Sequence, residues 1–458
     1  MTEDGILEGA QDLQGYFEAG AKPPEEWGAG IEYERVGVLS ESGRAIPYHG
    51  PRSLSALLSR LVSAEGWRPV YAGENVIALE MDHARITLEP GGQMELSGAV
   101  HRRMEDLREE VALWGHWSRE HSDPLGIRWL GLGLQPFTPL GEIPWVPKPR
   151  YRVMSARLGA TGTLGHVMMK QTACVQANLD YSDEADAFEK LRTAMGLTSV
   201  VTALYANSSL LEGKPSGFLS YRSWAWQNTD PARCGILPFV FGDGAGFADY
   251  LDYALDVPMM FILRNGDFVD LGGIPFRRFL LEGAGGHRAT LADFELHLTT
   301  LFPEVRLKRY LEVRGGDSAD AATALSQVAL WKGILYDAAS RREAWSLVSD
   351  LSLEERLRFH RDASRLGPGA RLGGRTALDL GADLHRIAAE GLDRLGESPS
   401  FLDPLAEILF ERRACPGETL RDRWLGEWKQ EPRRLVEYCS RVTLKPTDFP
   451  GGTVDEDH

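Results

Sequence analysis

The residues best able to do chemistry are five glutamates that fall on short stretches of alternating polarity. In Ile31-Glu32-Tyr33-Glu34-Arg35-Val36 the period of two puts Glu32 and Glu34 on one face. In Arg85-Ile86-Thr87-Leu88-Glu89, Ile86 and Leu88 share a face opposite Thr87 and Glu89. After the turn residues Pro90-Gly91-Gly92, the return Gln93-Met94-Glu95-Leu96-Ser97 sets Gln93, Glu95 and Ser97 opposite Met94 and Leu96. Residues 172–180 put Gln176, Asn178 and Asp180 on the polar side. In Tyr310-Leu311-Glu312-Val313-Arg314, Glu312 and Arg314 share a face. Alternation alone is what any antiparallel sheet with one packed and one wet face shows. Residue choice separates the readings, because a wet face mixes Lys, Thr, Ser and Glu, whereas these segments carry five glutamates and no lysine. Paired in one sheet, the carboxylates would repel. Such a cluster persists when cations sit in it, and Mg²⁺ takes carboxylate and water oxygens while bridging to phosphates. The expected chemistry is a carboxylate-rich sheet face that binds magnesium and a polyphosphate.

These strands need elements to hold them. Residues 1–25 read as an amphipathic opening helix, and 50–70 and 100–122 as helices by their 3.6 period. Residues 183–212 read as one long helix entered at Ser182 or Asp183 and ending near Asn207. Beyond about 320 the texture becomes helical, with helices expected over 319–337, 340–350, 353–366, 376–395, 401–413 and 416–429. The expectation is a catalytic sheet-and-helix core over 1–318, a helical part over 319–445 packed on it as one structural unit, and a frayed tail over 446–458.

Composition bounds the classes. Over 458 residues, 43% are hydrophobic and 25% charged, as in ordinary globular chains. A net charge of −16 argues against nonspecific binding to nucleic acid or anionic lipid. No apolar run reaches the roughly 18 residues of a membrane helix, and the acidic start lacks a signal-peptide pattern. Cys174, Cys234, Cys415 and Cys439 stand far apart with no Cys-x-x-Cys, which excludes a zinc ribbon and fits a reducing cytoplasm. There is no G-x-x-x-x-G-K-[ST], no complete dinucleotide fingerprint, no G-x-S-x-G and no H-E-x-x-H. Cys174 reads as a small buried residue, and Trp224 and Trp226 as core aromatics.

The ordered blocks Gly30-Ile31-Glu32-Tyr33-Glu34, Leu88-Glu89-Pro90-Gly91-Gly92-Gln93-Met94-Glu95, Gln176-Ala177-Asn178-Leu179-Asp180, Glu212-Gly213-Lys214-Pro215-Ser216-Gly217, Asp252-Tyr253-Ala254-Leu255-Asp256-Val257-Pro258-Met259 and Phe302-Pro303-Glu304-Val305-Arg306-Leu307-Lys308-Arg309-Tyr310-Leu311-Glu312-Val313-Arg314 spread over roughly 27–337. They resemble the glutamate–cysteine ligases of plant and proteobacterial type. The resemblance implies an α+β, glutamine synthetase-like fold: a curved antiparallel sheet forming a funnel-shaped active site, with helices outside it. It implies ATP-dependent joining of the γ-carboxylate of L-glutamate to the amine of L-cysteine through an acyl phosphate, as the first step of glutathione or related thiol synthesis. Mg²⁺, or Mn²⁺ in its place, would serve it. By the family's pattern Glu32, Glu34, Glu89, Glu95 and Glu312 would be metal ligands, and Arg314 would touch the γ-phosphate, with Lys308 and Arg309 as further phosphate contacts. Gln176 and Asn178 would be metal or substrate contacts, and Arg150 and Arg222 would hold substrate carboxylates. A cytoplasmic monomer or homodimer is expected, acting on small molecules only.

Two departures stand out. Leu271 takes the place where plant members carry a regulatory cysteine, so no plant-like disulfide switch is expected. Met260 stands where many relatives place a tyrosine associated with the acceptor pocket. That leaves open a ligase of the same mechanism that joins glutamate to a different amine.

Overall fold

The computed structural model describes residues 5–446. The expected frayed tail lies outside the described residues except for Pro446. Strands β1 (Ala29–Leu39), β2 (Arg68–Ala72), β3 (Asn75–Met81), β4 (Ala84–Leu88), β5 (Met94–Ser97), β6 (Ile127–Leu130), β7 (Cys174–Leu179), β8 (Val305–Leu307) and β9 (Leu311–Asp317) form one open sheet. Its order is β8-β9-β7-β1-β5-β4-β3-β2, with β6 paired to the end of β1. All of its pairings are antiparallel. The α+β expectation therefore holds, with one antiparallel sheet that stays open.

Register decides what the polar face carries. Glu34 lies directly opposite Glu95, and Glu95 opposite Thr87. Glu32 pairs across with Gln176 on one side and Ser97 on the other. Glu312 stands between Asn178 and Arg306. The pairing of β9 with β7 shifts register between Val313 and Gly316, a bulge just past Arg314. On the opposite face Ile31, Tyr33, Leu88, Met94, Leu96, Val175, Ala177, Leu311 and Val313 are buried. Helices Leu54–Glu65, Met104–Ser122, Glu184–Leu204 and Ala321–Tyr336 cover that face. The last is apolar nearly all round and is sandwiched between the sheet and helix Ala377–Arg394. Its one charged residue, Lys332, is buried but pairs with Glu397 and donates to the Arg102 carbonyl at 2.7 Å.

Three sequence expectations are corrected. Of the opening helix expected over 1–25, the described residues 5–25 do not form one helix. Short turns at Ala10–Leu13, Gly15–Glu18 and Pro24–Glu26 replace it, because Gly9, Gly15, Gly20 and Pro23-Pro24 interrupt the run. The long helix starts as expected, with Asp183 capping the Asp186 amide at 2.8 Å, but stops at Leu204. Residues 207 and 208 peel away because Asp317 accepts hydrogen bonds from the Asn207 amide and the Ser208 hydroxyl. Residues 401–413 are a 3₁₀ turn, a short helical turn and the π-helical stretch Glu407–Arg412, closed by Arg413 in the left-handed region.

The turn between β4 and β5 sets where Glu89 and Glu95 stand. Gln93 anchors it, accepting from the Gly91 amide at 2.9 Å and donating to the Thr172 carbonyl at 2.6 Å. A Cβ on Gly91 would lie 2.0 Å from the Lys170 carbonyl oxygen. Gly91→Ala is expected to destabilise the fold by about 1–3 kcal/mol through this backbone clash, read as a lowered midpoint in urea denaturation. An unchanged midpoint would contradict the tight seating of the turn.

Candidate active site

The polar sheet face floors a cavity of about 520 Å³. Glu32 and Glu34 come from β1, Glu95 from β5, and Glu89 from the end of β4; all four line it. Backbone pairing forces them together. Two unit charges about 5 Å apart at an effective dielectric of about 20 repel by roughly 3 kcal/mol. Three of the carboxyls, Glu32, Glu34 and Glu95, respond by holding their protons more tightly. Burial, then Glu312 and Glu95, pushes Glu32 up to about 7. Burial, then Glu89 and Glu95, pushes Glu34 up to about 8. Glu95 is raised by burial and by Glu89, although Ser97 and Thr87 donate to it at 2.7 and 3.2 Å. Glu34 is steadied by Cys174, whose amide donates at 2.8 Å and whose thiol donates at 3.2 Å. Burial and Glu34 push that thiol well above its ordinary range, so it stays a donor.

Toward β8 and β9 the sign reverses. Glu312 is fully buried, and burial would raise its pKa. Arg306, Lys308 and Arg314 instead hold it well below the usual carboxylate range. Arg306 and Lys308 reach it at 2.6 and 2.8 Å, and Arg314 also pairs with it. Arg314 lies over the adjoining Trp226 and Phe302 rings, 5.5 and 5.7 Å from their centroids. Its Nη1 donates to Gln176 as well as to Glu312. Beyond the glutamates, Arg85, Lys148 and Arg150 form a second basic wall. Burial and Arg150 bring Lys148 down to about 8, against the pull of Glu89 and Glu95. The cavity thus alternates cation, carboxylate, cation across the sheet. An apolar wall of Met154, Met168, Phe261, Phe268, Trp226 and Phe302 completes it.

Of the residues expected from the sequence, Glu32, Glu34, Glu89, Glu95, Gln176, Arg150, Lys308 and Arg314 line this cavity. Others stand elsewhere. Glu312 is paired behind the wall, because its neighbours supply the cations that its charge requires. Asn178 orients Glu32, donating to it at 3.1 Å. Arg222 does not line the cavity; its guanidinium is held by backbone carbonyls of β9 and lies 3.9 Å from Asp317. It donates to the Arg314 carbonyl at 2.7 Å and to that of Gly315 at 3.4 Å. Met260 is buried in the core; its neighbour Phe261, just before the strand Ile262–Arg264, lines the wall instead. Arg309 is exposed, lies over Tyr16 and pairs with Glu295 at 3.2 Å, away from the site. Trp224 stacks on Phe218 as an ordinary packing aromatic, whereas Trp226 reaches the cavity.

Sequence reasoning overlooked Arg306 and Lys148. Arg306 carried a signal: the tight Lys308–Tyr310 turn places it directly across from Glu312. Lys148 carried none, because it lies in a loop whose path the sheet does not dictate.

The model of glutamate–cysteine ligase family 2 matches residues 29–438. The chloroplastic glutamate–cysteine ligase of Solanum lycopersicum is 39% identical over 444 residues, covering 95% of this chain and 84% of that protein. The chloroplastic enzyme of Medicago truncatula is 39% identical over 437 residues, covering 94% and 85%. Among solved structures, a glutamate–cysteine ligase from Francisella tularensis in complex with AMP aligns over 91% of this chain and 88% of its own, with a TM-score of 0.53 at 13% identity, a likeness of fold. The relatives are named chloroplastic, which contradicts the cytoplasmic expectation. The four cysteines are free, a feature that does not tell one reducing compartment from another. On the family model and on identity across nearly its whole length, this chain belongs to glutamate–cysteine ligase family 2.

Proposed function

We propose that the protein phosphorylates the γ-carboxylate of L-glutamate with ATP and joins it to the amine of L-cysteine, releasing γ-glutamylcysteine, ADP and phosphate. One observation carries this reading: four glutamates, three of them (Glu32, Glu34 and Glu95) raised by burial and by one another, face Arg314 and Lys308 across a single cavity. The family membership supports it, and so do the names of the curated relatives.

The cavity suits divalent cations, because hard carboxylate oxygens are crowded there at a cost that metal charge would relieve. Glu32, Glu34, Glu89 and Glu95 would hold Mg²⁺, which when bound neutralises triphosphate charge and acts as a Lewis acid. Gln176 and Asn178 orient that set. Arg314 and Lys308 offset charge on the transferred phosphoryl group and on the leaving phosphate. Arg150 and Lys148 are placed to take the substrate carboxylates. Met154, Met168, Phe261 and Phe268 offer a soft, apolar lining suited to a thiol side chain. Glu312 supports Arg314 through direct ion pairing.

Phosphate release measured with Mg-ATP, L-glutamate and a panel of amines tests the acceptor. Cysteine is expected to give the highest kcat/KM, and turnover with another amine but not cysteine would overturn the assignment. Glu95→Gln is expected to abolish turnover while leaving the metal-free Tm equal or higher, since it removes like-charge repulsion. Glu312→Gln is expected to lower Tm, because losing one partner of a buried ion pair costs about 3–5 kcal/mol. Equal Tm shifts in the two variants would contradict these charge assignments.

The raised carboxyls also set a pH dependence. Glu32 and Glu34 titrate at about 7 and about 8 in the fold, against an ordinary 4.5. Between those values the folded protein holds more protons than the unfolded chain, so stability falls as pH rises through the window. Scanning Tm from pH 5 to 8.5 is expected to show this decline without metal and a weaker one with saturating Mg²⁺. A metal-free Tm that climbs from pH 6 to 8 would refute it.

A further inference from the structure

No motif singles out Arg306, yet it is the most fully committed cation of the site. A guanidinium has five N–H bonds to give, and here each has an acceptor. Nε donates to Glu312 Oε2 at 3.3 Å, and Nη2 donates to Oε1 and Oε2 at 2.6 and 2.8 Å. Nη1 donates to the carbonyls of Thr299 and Leu301 at 3.0 and 2.9 Å. Arg306 is buried, although its side chain forms part of the cavity wall.

Its neighbours are committed differently. Both hydrogen bonds that the Arg314 side chain gives to protein leave from Nη1, so Nε and Nη2 have donors to spare. Lys308 gives Glu312 one contact from an ammonium that has three donors. Donor accounting therefore divides the trio. A group with no donor left cannot grip a phosphate oxygen, whereas the other two can.

We infer that Arg306 is a positioning residue for phosphoryl transfer. It neutralises Glu312 and pins residues 299–301, where Thr299 and Thr300 form part of the cavity wall. Without it, Glu312 would draw Arg314 into a full two-pronged pair, turning the free donors of Arg314 away from the transferred group. The inference rests on the ligase reading above.

Steady-state kinetics of the full chain with Mg-ATP, glutamate and cysteine, together with thermal denaturation, compares wild type with Arg306→Lys and Arg306→Met. Lysine keeps a positive charge beside Glu312 but loses the planar fork and cannot span both loop carbonyls. The expected result is a fall in kcat of about 10-fold for Arg306→Lys and about 100-fold for Arg306→Met, the scale of a small misplacement of reacting groups. KM for ATP is expected to stay within about threefold of wild type. If Arg306→Met does not fold, Arg306→Lys decides alone. A kcat within about twofold of wild type in folded Arg306→Lys overturns the inference. So does a loss that disappears when rates are normalised to the folded fraction. A large rise in KM for ATP at unchanged kcat also overturns it, by placing Arg306 on the nucleotide itself. An active wild type with an unmoved variant defeats the positioning role alone, whereas a wild type that releases no phosphate defeats the ligase reading and this role with it.

Discussion

The site depends on one unfavourable contact that the backbone enforces. Antiparallel pairing of β1 with β5 sets Glu34 directly across from Glu95, and no rotamer choice separates their chain positions. Glu32 lies two residues along on the same face, and Glu89 closes the group from the β4 turn. The apolar residues on the other face pay for this arrangement. Shifting β1 by one residue would relieve the repulsion, but it would also carry Ile31 and Tyr33 out of the core. Packing on one side of the sheet thereby fixes a charge cluster on the other.

The glutamates of this face meet opposite fates through their neighbours. Glu32, Glu34 and Glu95 are buried among one another, and their carboxyls are driven toward the protonated form. Glu312 is at least as buried but lies among Arg306, Lys308 and Arg314, which keep it ionised. Identical side chains on one sheet thus become a region that attracts cations and a region that organises them. The boundary runs through Gln176, which takes a hydrogen bond from Arg314 and donates to the Cys174 sulfur at 3.2 Å.

Much of this was legible in the sequence. The period of two placed Glu32, Glu34, Glu89, Glu95, Gln176 and Arg314 on polar strand faces, and the structure brings all six to one cavity. The helical expectations over 50–70, 100–122 and 353–366 each contain an observed helix, because each follows an apolar stripe of period 3.6. The opening helix failed because glycine and proline interrupt a run that only looks amphipathic. The 401–413 stretch failed because π-helical spacing mimics the α period over so few residues.

What the sequence determined by itself is the alternation: which residues share a face, and therefore that carboxylates gather opposite a hydrophobic core. That follows from covalent geometry, which turns successive side chains to opposite sides of a strand. Which strands become neighbours, and so which charge meets which, was decided only in the tertiary structure. Strand order set Glu312 beside Arg306 and Glu34 beside Glu95. Approach of the Arg222 helix to β9 set its guanidinium on the Arg314 carbonyl, and packing drew Met260 into the core while Phe261 took the wall. These outcomes depend on contacts between segments remote in the chain, and the polarity of each segment alone does not encode them.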